Sequence, residues 1–128
     1  ELGKRLLTTA ADVMRVNDLP IIPRQMHLGD AIIQVSKGKL GLGVSVEDGK
    51  IVGLITDGDI RRAMEKWQAE FFNKTVNDIM TTNPKIVLPT TKIADIQQIM
   101  QKYKIHTVLV ADENERLVGI VDHYRCML

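Results

Sequence analysis

The sequence predicts an α/β fold built from two copies of one small unit. The first observation is repetition: Asp12-Val13-Met14 recurs as Asp78-Ile79-Met80, and Val52-Gly53-Leu54-Ile55 recurs as Val118-Gly119-Ile120-Val121, both 66 positions later. The second is that short β-branched runs alternate with segments whose apolar residues have helical spacing. Landmarks that recur at one offset indicate a duplicated unit, and two copies are too few for a solenoid.

Composition sets the broad class. The 128 residues are 45% hydrophobic, which is enough for a proper core, and the net charge of +1 gives no bulk attraction to nucleic acid or to an acidic membrane surface. The single cysteine, Cys126, cannot form an internal disulfide, and no apolar stretch approaches about 20 residues. We therefore expect a cytoplasmic protein that binds neither nucleic acid nor membrane.

The first copy follows a connecting segment. Residues 1–11 are interpreted as a linker from an absent upstream domain, and hydroxyl residues ahead of apolar ones predict a short helix within residues 8–14. A short strand at Ile21 and Ile22 comes next, limited by Pro23. Residues 28–36 have helical spacing and are followed by Lys37-Gly38-Lys39-Leu40-Gly41, which predicts a glycine C-cap. Strands at 44–46 and 51–55 then form a hairpin across Asp48-Gly49.

The central stretch is a strand, a turn and a helix, and its turn is Thr56-Asp57-Gly58-Asp59. Unpaired backbone N–H groups and the dipole at a helix start can hold an anion such as phosphate. The Thr56 hydroxyl could donate to that phosphate, and the Asp59 carboxylate could accept from sugar hydroxyls, a combination that suits a nucleotide. The alternative is that Asp57 or Asp59 only caps the helix and Gly58 only makes the turn.

The second copy repeats these elements with one chemical change. Thr75 and Asp78 have the spacing of a capping box. A strand at 86–88, a helix at 93–103 and hairpin strands at 107–110 and 117–121 follow, and the last helix is nearly absent. Asp122-His123-Tyr124-Arg125 stands where the first copy has its turn. An aspartate repels phosphate and an arginine cannot accept from ribose, so we expect one good site and a second that is altered or empty.

The repeated motifs resemble the tandem cystathionine-β-synthase (CBS) domain pair, whose repeats run from a D-[VI]-M helix end to a G-x-[IV]-[ST]-x-x-D turn. The resemblance implies an α/β fold of two CBS repeats, each a small mixed sheet with two helices, related by a pseudo-two-fold. Residues 12–74 would be repeat 1 and residues 75–128 repeat 2.

A closer resemblance is to the C-terminal region of bacterial arabinose-5-phosphate isomerases. The matching segments are Leu2-Gly3-Lys4-Arg5-Leu6-Leu7, Asn17-Asp18-Leu19-Pro20 and Thr56-Asp57-Gly58-Asp59-Ile60-Arg61-Arg62. It implies an attached upstream sugar-isomerase (SIS) domain that interconverts ribulose 5-phosphate and arabinose 5-phosphate for Kdo and lipopolysaccharide synthesis. The chain itself would be non-catalytic, need no cofactor, form a homo-oligomer and bind an allosteric ligand, either the nucleotide-sugar CMP-Kdo or an adenine nucleotide. The alternatives are an oligomerisation module with vestigial sites and a nucleotide sensor of another CBS-regulated protein.

Candidate site residues follow from the turn and from the resemblance. The resemblance implies base contacts at Ile21, Ile22, Leu42 and Gly43. Arg62 could bind a carboxylate or phosphate bidentately, although a solvated helix face is an equal alternative. His27 is interpreted as a surface histidine, and no ligand spacing predicts a metal. No residues are assigned as catalytic. The full set of candidate ligand-binding residues is Thr56, Asp57, Asp59, Ile22, Leu42, Gly43, Arg62, His106, Thr107 and His123, of which His106 and Thr107 would line a cleft and His123 would meet an anionic ligand or a partner subunit.

Overall fold

The computed structural model describes residues 6–127, and the chain folds as two compact α/β units. One unit is Pro20–Pro84, and the other combines the described residues up to Leu19 with those from Lys85 onward. The predicted fold class is confirmed. In chain order the elements are α1 (Ala10–Val13), α2 (Leu28–Gly38), β1 (Leu42–Glu47), β2 (Lys50–Thr56), α3 (Asp57–Trp67), a 3-10 helix (Gln68–Asn73), α4 (Val76–Ile79), β3 (Ile86–Val87), α5 (Ile93–Tyr103), β4 (Thr107–Ala111), β5 (Leu117–Asp122) and α6 (His123–Cys126).

The unit formed by Pro20–Pro84 contains the antiparallel hairpin of β1 and β2, as predicted. The strand predicted at Ile21 and Ile22 is reduced to a single parallel bridge beside Val44. Val44 donates its N–H to Pro20 O at 2.8 Å and accepts from Ile22 N at 2.9 Å. Pro20 carries no N–H, so the ladder cannot extend beyond it in that direction.

Helix α2 is two residues longer than predicted, and its C-cap is not a glycine. Lys39 takes the left-handed conformation, with φ of 61°, and Gly38 is the last helical residue. A Cβ on Gly38 would lie 3.0 Å from the Pro20 Cβ. The glycine therefore makes room for the chain beside it, and the predicted glycine C-cap is wrong.

The core of this unit is aliphatic around one aromatic ring. Phe71, from the 3-10 helix, is 1% exposed and lies among side chains of α2, β2, α3 and α4. The buried cluster is Ile22, Leu28, Ala31, Val35, Ile55, Ile60, Ala63, Phe71 and Val76. These contacts fix the end of β2 and the start of α3, where the candidate site lies.

The other unit contains a three-stranded sheet in the order β3-β4-β5, with β3 parallel to β4 and β5 antiparallel to it. Helix α5 has the predicted bounds, Ile93–Tyr103, and ends on Lys104 in the left-handed conformation, as α2 ends on Lys39. Helix α6 is a single turn. The buried cluster is Ala10, Val87, Ile93, Ile96, Met100, Val108, Val110, Val121 and Cys126.

Each unit includes a short segment that opens a sequence repeat other than its own. Thr75 bridges His27, and the equivalent Thr9, 66 positions earlier, bridges Lys92. The Asp78-Ile79-Met80 segment, which opens the second repeat, therefore belongs to the unit Pro20–Pro84, and the Asp12-Val13-Met14 segment, which opens the first repeat, belongs to the unit that contains Lys85 onward.

This exchange explains why methionine and glycine recur together. A Cβ on Gly53 would lie 2.8 Å from Met80 Cγ and closer still to Sδ, and a Cβ on Gly119 would lie 2.5 Å from Met14 Sδ. Both distances are too short for a real Cβ, so each thioether occupies the space that a side chain would fill. The two landmarks that recur in the sequence are partners in space.

Candidate nucleotide-binding site

The turn after β2 is held by a reciprocal pair of hydrogen bonds. Thr56 Oγ1 accepts from the Asp59 N–H at 3.2 Å, and Asp59 Oδ2 accepts from the Thr56 N–H at 2.9 Å. This is a capping box, with Asp in place of the more usual Glu or Gln. The capping alternative is thus part of the structure, and both side chains retain further hydrogen-bonding capacity, because a hydroxyl that accepts can still donate.

Arg62 folds back onto the turn. Its Nη2 lies 2.7 Å from Asp59 Oδ1, and a Cβ on Gly58 would lie 3.1 Å from its Nη1. The Arg62 side chain is 70% exposed, whereas that of Asp59 is 20% exposed. The guanidinium therefore covers the half-buried carboxylate and adds positive charge beside the Thr56 hydroxyl.

Asp57 ties the start of α3 to the start of β1. Its N–H donates to Gly41 O at 2.9 Å, and Leu42 is paired with Thr56 in the hairpin register. Gly41 has φ of 70°, and a Cβ there would lie 3.0 Å from Asp57 Oδ2. The carboxylate thus lies above Gly41, in a position that a side chain would obstruct.

The four residues expected to contact a base all belong to the unit Pro20–Pro84, and Ile21 is exposed, at 50%. Ile22 and Leu42 are each 1% exposed, and a Cβ on Gly43 would lie 2.6 Å from Ile22 Cδ1 and 3.3 Å from Val35 Cγ2. Ile22 and Leu42 are thus core residues, and the missing side chain of Gly43 leaves the space that Ile22 occupies. Contact between a base and these residues stays a prediction.

A pocket of about 400 Å³ opens beside the turn. It lies where the last turn of α2, the start of β1 and the first turn of α3 meet. No sequence motif predicts this pocket. Its lining residues are Ile32, Val35, Ser36, Lys39, Gly41, Asp57 and Ile60.

The second turn has the same backbone frame with different side chains. His123 donates its N–H to His106 O at 2.8 Å, as Asp57 does to Gly41, and Thr107 is paired with Asp122. The rings of His106 and His123 lie 6.3 Å apart between centroids, so the structure brings these two candidates and Thr107 together.

The capping role in the second turn belongs to Asp122, whose Oδ1 accepts from the Arg125 N–H at 2.9 Å. Arg125 occupies the sequence position equivalent to Asp59 but does not take over its function. Its guanidinium instead donates from Nη1 to Val13 O at 3.0 Å. Ribose hydroxyls would therefore meet no carboxylate acceptor at residue 125.

The described residues contain neither a metal-binding cluster nor a membrane-spanning helix. Among residues 6–127 no group of three or more His, Cys, Asp or Glu side chains is arranged to hold a metal ion. In the same part of the chain no helix combines the length and the apolar character needed to cross a membrane.

Comparison with known proteins identifies the family and several relatives. The CBS domain family matches residues 10–66 and 76–127. A probable arabinose 5-phosphate isomerase of Haemophilus influenzae is 34% identical over 94% of this chain, and the arabinose 5-phosphate isomerase KpsF of Escherichia coli is 37% identical over 94%. The chain spans only 36% of the length of each of these relatives.

Solved structures agree. The CBS domain pair of protein MJ0100, in complex with 5′-methylthioadenosine and S-adenosyl-L-methionine, is 27% identical with a TM-score of 0.83, and the match covers 94% of both chains. CBSX2 of Arabidopsis thaliana, in complex with AMP, is 22% identical with a TM-score of 0.82 over 93% of both chains. The chain therefore belongs to the CBS domain family, as a pair of CBS domains homologous to the CBS region of arabinose 5-phosphate isomerases.

Proposed function

We propose that this chain is the regulatory CBS pair of an arabinose 5-phosphate isomerase and that it binds a nucleotide or nucleotide-sugar at the Thr56 turn. The relatives at 34% and 37% identity support the first part. Their additional length would include an attached SIS domain that interconverts ribulose 5-phosphate and arabinose 5-phosphate in the cytoplasm, supplying Kdo for lipopolysaccharide. The CBS pair would regulate that domain, through a homo-oligomer, without catalysing a reaction itself.

The observation that carries the ligand proposal is the geometry of the turn. The Thr56 hydroxyl accepts from the Asp59 N–H and so has its own proton available for a phosphate oxygen. The Asp59 carboxylate has lone pairs beyond the two bonds that it accepts from Thr56 and Arg62, and these can accept from two ribose hydroxyls. Arg62 supplies positive charge for the phosphate.

The ligand class is supported by related CBS pairs. The compounds in complex with MJ0100 and with CBSX2 all contain an adenosine unit, so each has a base and a ribose. CMP-Kdo also has a base and a ribose, and it adds a phosphate and a carboxylate. As the activated product of the pathway it is our first candidate, and an adenine nucleotide is the second.

Isothermal titration calorimetry of CMP-Kdo, CMP and AMP with this chain tests the proposal. Thr56→Ala and Asp59→Ala should each weaken CMP-Kdo binding by about tenfold or more, since each removes a direct contact to the ligand. Asp78→Ala is the matched control, because it removes the carboxylate that accepts from the Thr75 N–H at 2.8 Å in the corresponding box of α4. It should cost similar stability and leave binding unchanged.

Three results would contradict parts of this proposal. Tighter binding of AMP than of CMP-Kdo would identify an adenine-nucleotide sensor. If Asp78→Ala lost binding together with Asp59→Ala, the effect would be one of folding. No binding by any nucleotide, together with self-association in analytical ultracentrifugation, would leave an oligomerisation module with vestigial sites.

A further inference from the structure

The pocket beside the Thr56 turn adjoins the candidate site at Asp57. It shares Asp57 with the first turn of α3 and Gly41 with the start of β1, and these two residues are joined by the 2.9 Å backbone hydrogen bond. Its volume of about 400 Å³ is within the range of small-molecule sites. The pocket thus begins one residue away from Thr56, the residue proposed to bind the phosphate.

The walls of the pocket divide into an apolar base and a polar rim. Val35 and Ile60 are buried, at 1% and 6% exposure, and Ile32 is half-buried beside them. Ser36, Lys39 and Asp57 are exposed around them. Such a combination suits a small polar molecule that has one apolar face, as a sugar ring has.

Lys39 has a fixed place on this rim. Its backbone is held in the left-handed conformation, and its N–H donates to Ser36 O at 3.3 Å, so the side chain begins at the edge of the pocket. Lys39 and Asp57 form no ion pair with any residue in the described range 6–127. Both charges are therefore available to a ligand.

We propose that this pocket binds a hydroxylated acidic group carried on the phosphate of a nucleotide, with Lys39 binding the acid and Asp57 and Ser36 binding hydroxyls. This inference depends on the proposed function. A bare terminal phosphate would meet the negative Asp57 carboxylate as well as Lys39. A sugar acid, by contrast, can present hydroxyls to Asp57 and its carboxylate to Lys39. The pocket would thus distinguish a nucleotide-sugar acid from a mononucleotide.

The test compares three probes, CMP-Kdo, CMP and free Kdo, by calorimetry on the whole chain. Lys39→Gln should weaken CMP-Kdo binding about tenfold while changing CMP binding less than twofold, because only the acid loses its charge-assisted hydrogen bond. Lys39→Arg should retain most of the affinity for CMP-Kdo. Lys37→Gln, an exposed lysine that does not line the pocket, is the matched control and should bind all three probes as the parent chain does.

The outcomes separate this inference from the proposed function. If CMP and AMP bind but CMP-Kdo shows no preference over CMP, or if Lys39→Gln weakens both equally, the inference is wrong and the function stands. If free Kdo binds as tightly as CMP-Kdo, the pocket acts independently of the nucleotide and the inference is also wrong. If no nucleotide binds, both fail. Urea denaturation of each variant excludes unfolding as the cause.

Discussion

Replacing Gly53 by alanine tests whether the recurring glycine and methionine are packing partners. The new Cβ would lie 2.8 Å from Met80 Cγ and 3.1 Å from its Cβ, so the whole side chain must move, not only its flexible end. Overpacking of this kind costs about 1–3 kcal/mol. Reduced entropy of the unfolded chain returns about 0.4–1 kcal/mol, so we expect a net loss of about 1–2 kcal/mol.

Urea denaturation of four chains measures this: the parent, Gly53→Ala, Met80→Ala and the double variant. Once Met80 is truncated to alanine, the added methyl meets only the remaining Cβ of residue 80, 3.1 Å away, so Gly53→Ala should cost much less in that background. The interaction energy of the cycle should be about 1 kcal/mol or more. Gly58→Ala is the control, because its Cβ would meet only the mobile end of Arg62, 3.1 Å away.

Equal costs of Gly53→Ala in the two backgrounds would refute the packing argument, since the penalty would then come from the strand backbone and not from the thioether. A Gly58→Ala loss as large as that of Gly53→Ala would do the same, because it would reflect a general intolerance of alanine for glycine.

Three further predictions concern the same unit and are read by thermal or urea denaturation. Phe71→Ala should destabilise the chain by about 3–5 kcal/mol, because Phe71 is 1% exposed in the centre of the core, and a loss below about 1 kcal/mol would contradict that. Asp59→Ala should cost about 1 kcal/mol without ligand, since it removes the acceptor of the Thr56 N–H, and an unchanged midpoint would be inconsistent with the capping box. Ser45→Ala should cost about 1–3 kcal/mol, because Ser45 Oγ donates to Ile22 O at 2.8 Å in a buried position, and a gain in stability would show that the carbonyl does not need this partner.

The sequence predicted those elements whose determinants are local. Helix α5 has the predicted bounds because its apolar spacing is regular, and both hairpins follow from β-branched runs around short turns. The capping-box bond of Asp78 follows from a spacing of three residues. In each case the deciding interactions lie within a few positions of one another.

What the sequence could not predict depends on distant contacts. The local sequence predicts that Gly38 caps the helix, but its role is set by Pro20, eighteen positions away in the chain. The pocket at Lys39 arises only when α2, β1 and α3 meet, and no motif describes it. The methionine and glycine motifs each recur in the sequence, but recurrence alone does not show that Met80 packs on Gly53 and Met14 on Gly119.

The two turns show how a pair of repeats can share a backbone and differ in chemistry. The frame is the same in both, because Asp57 and His123 donate to the residue before the first hairpin strand at 2.9 and 2.8 Å. A backbone hydrogen bond does not depend on which side chain the residue carries. The two turns can therefore keep the same backbone conformation while their ligand-binding side chains differ. At the position of the acid in the first turn, Arg125 is bound to Val13 O and cannot accept from ribose. We therefore expect nucleotide affinity to be lost with Asp59→Ala and not restored by the second turn.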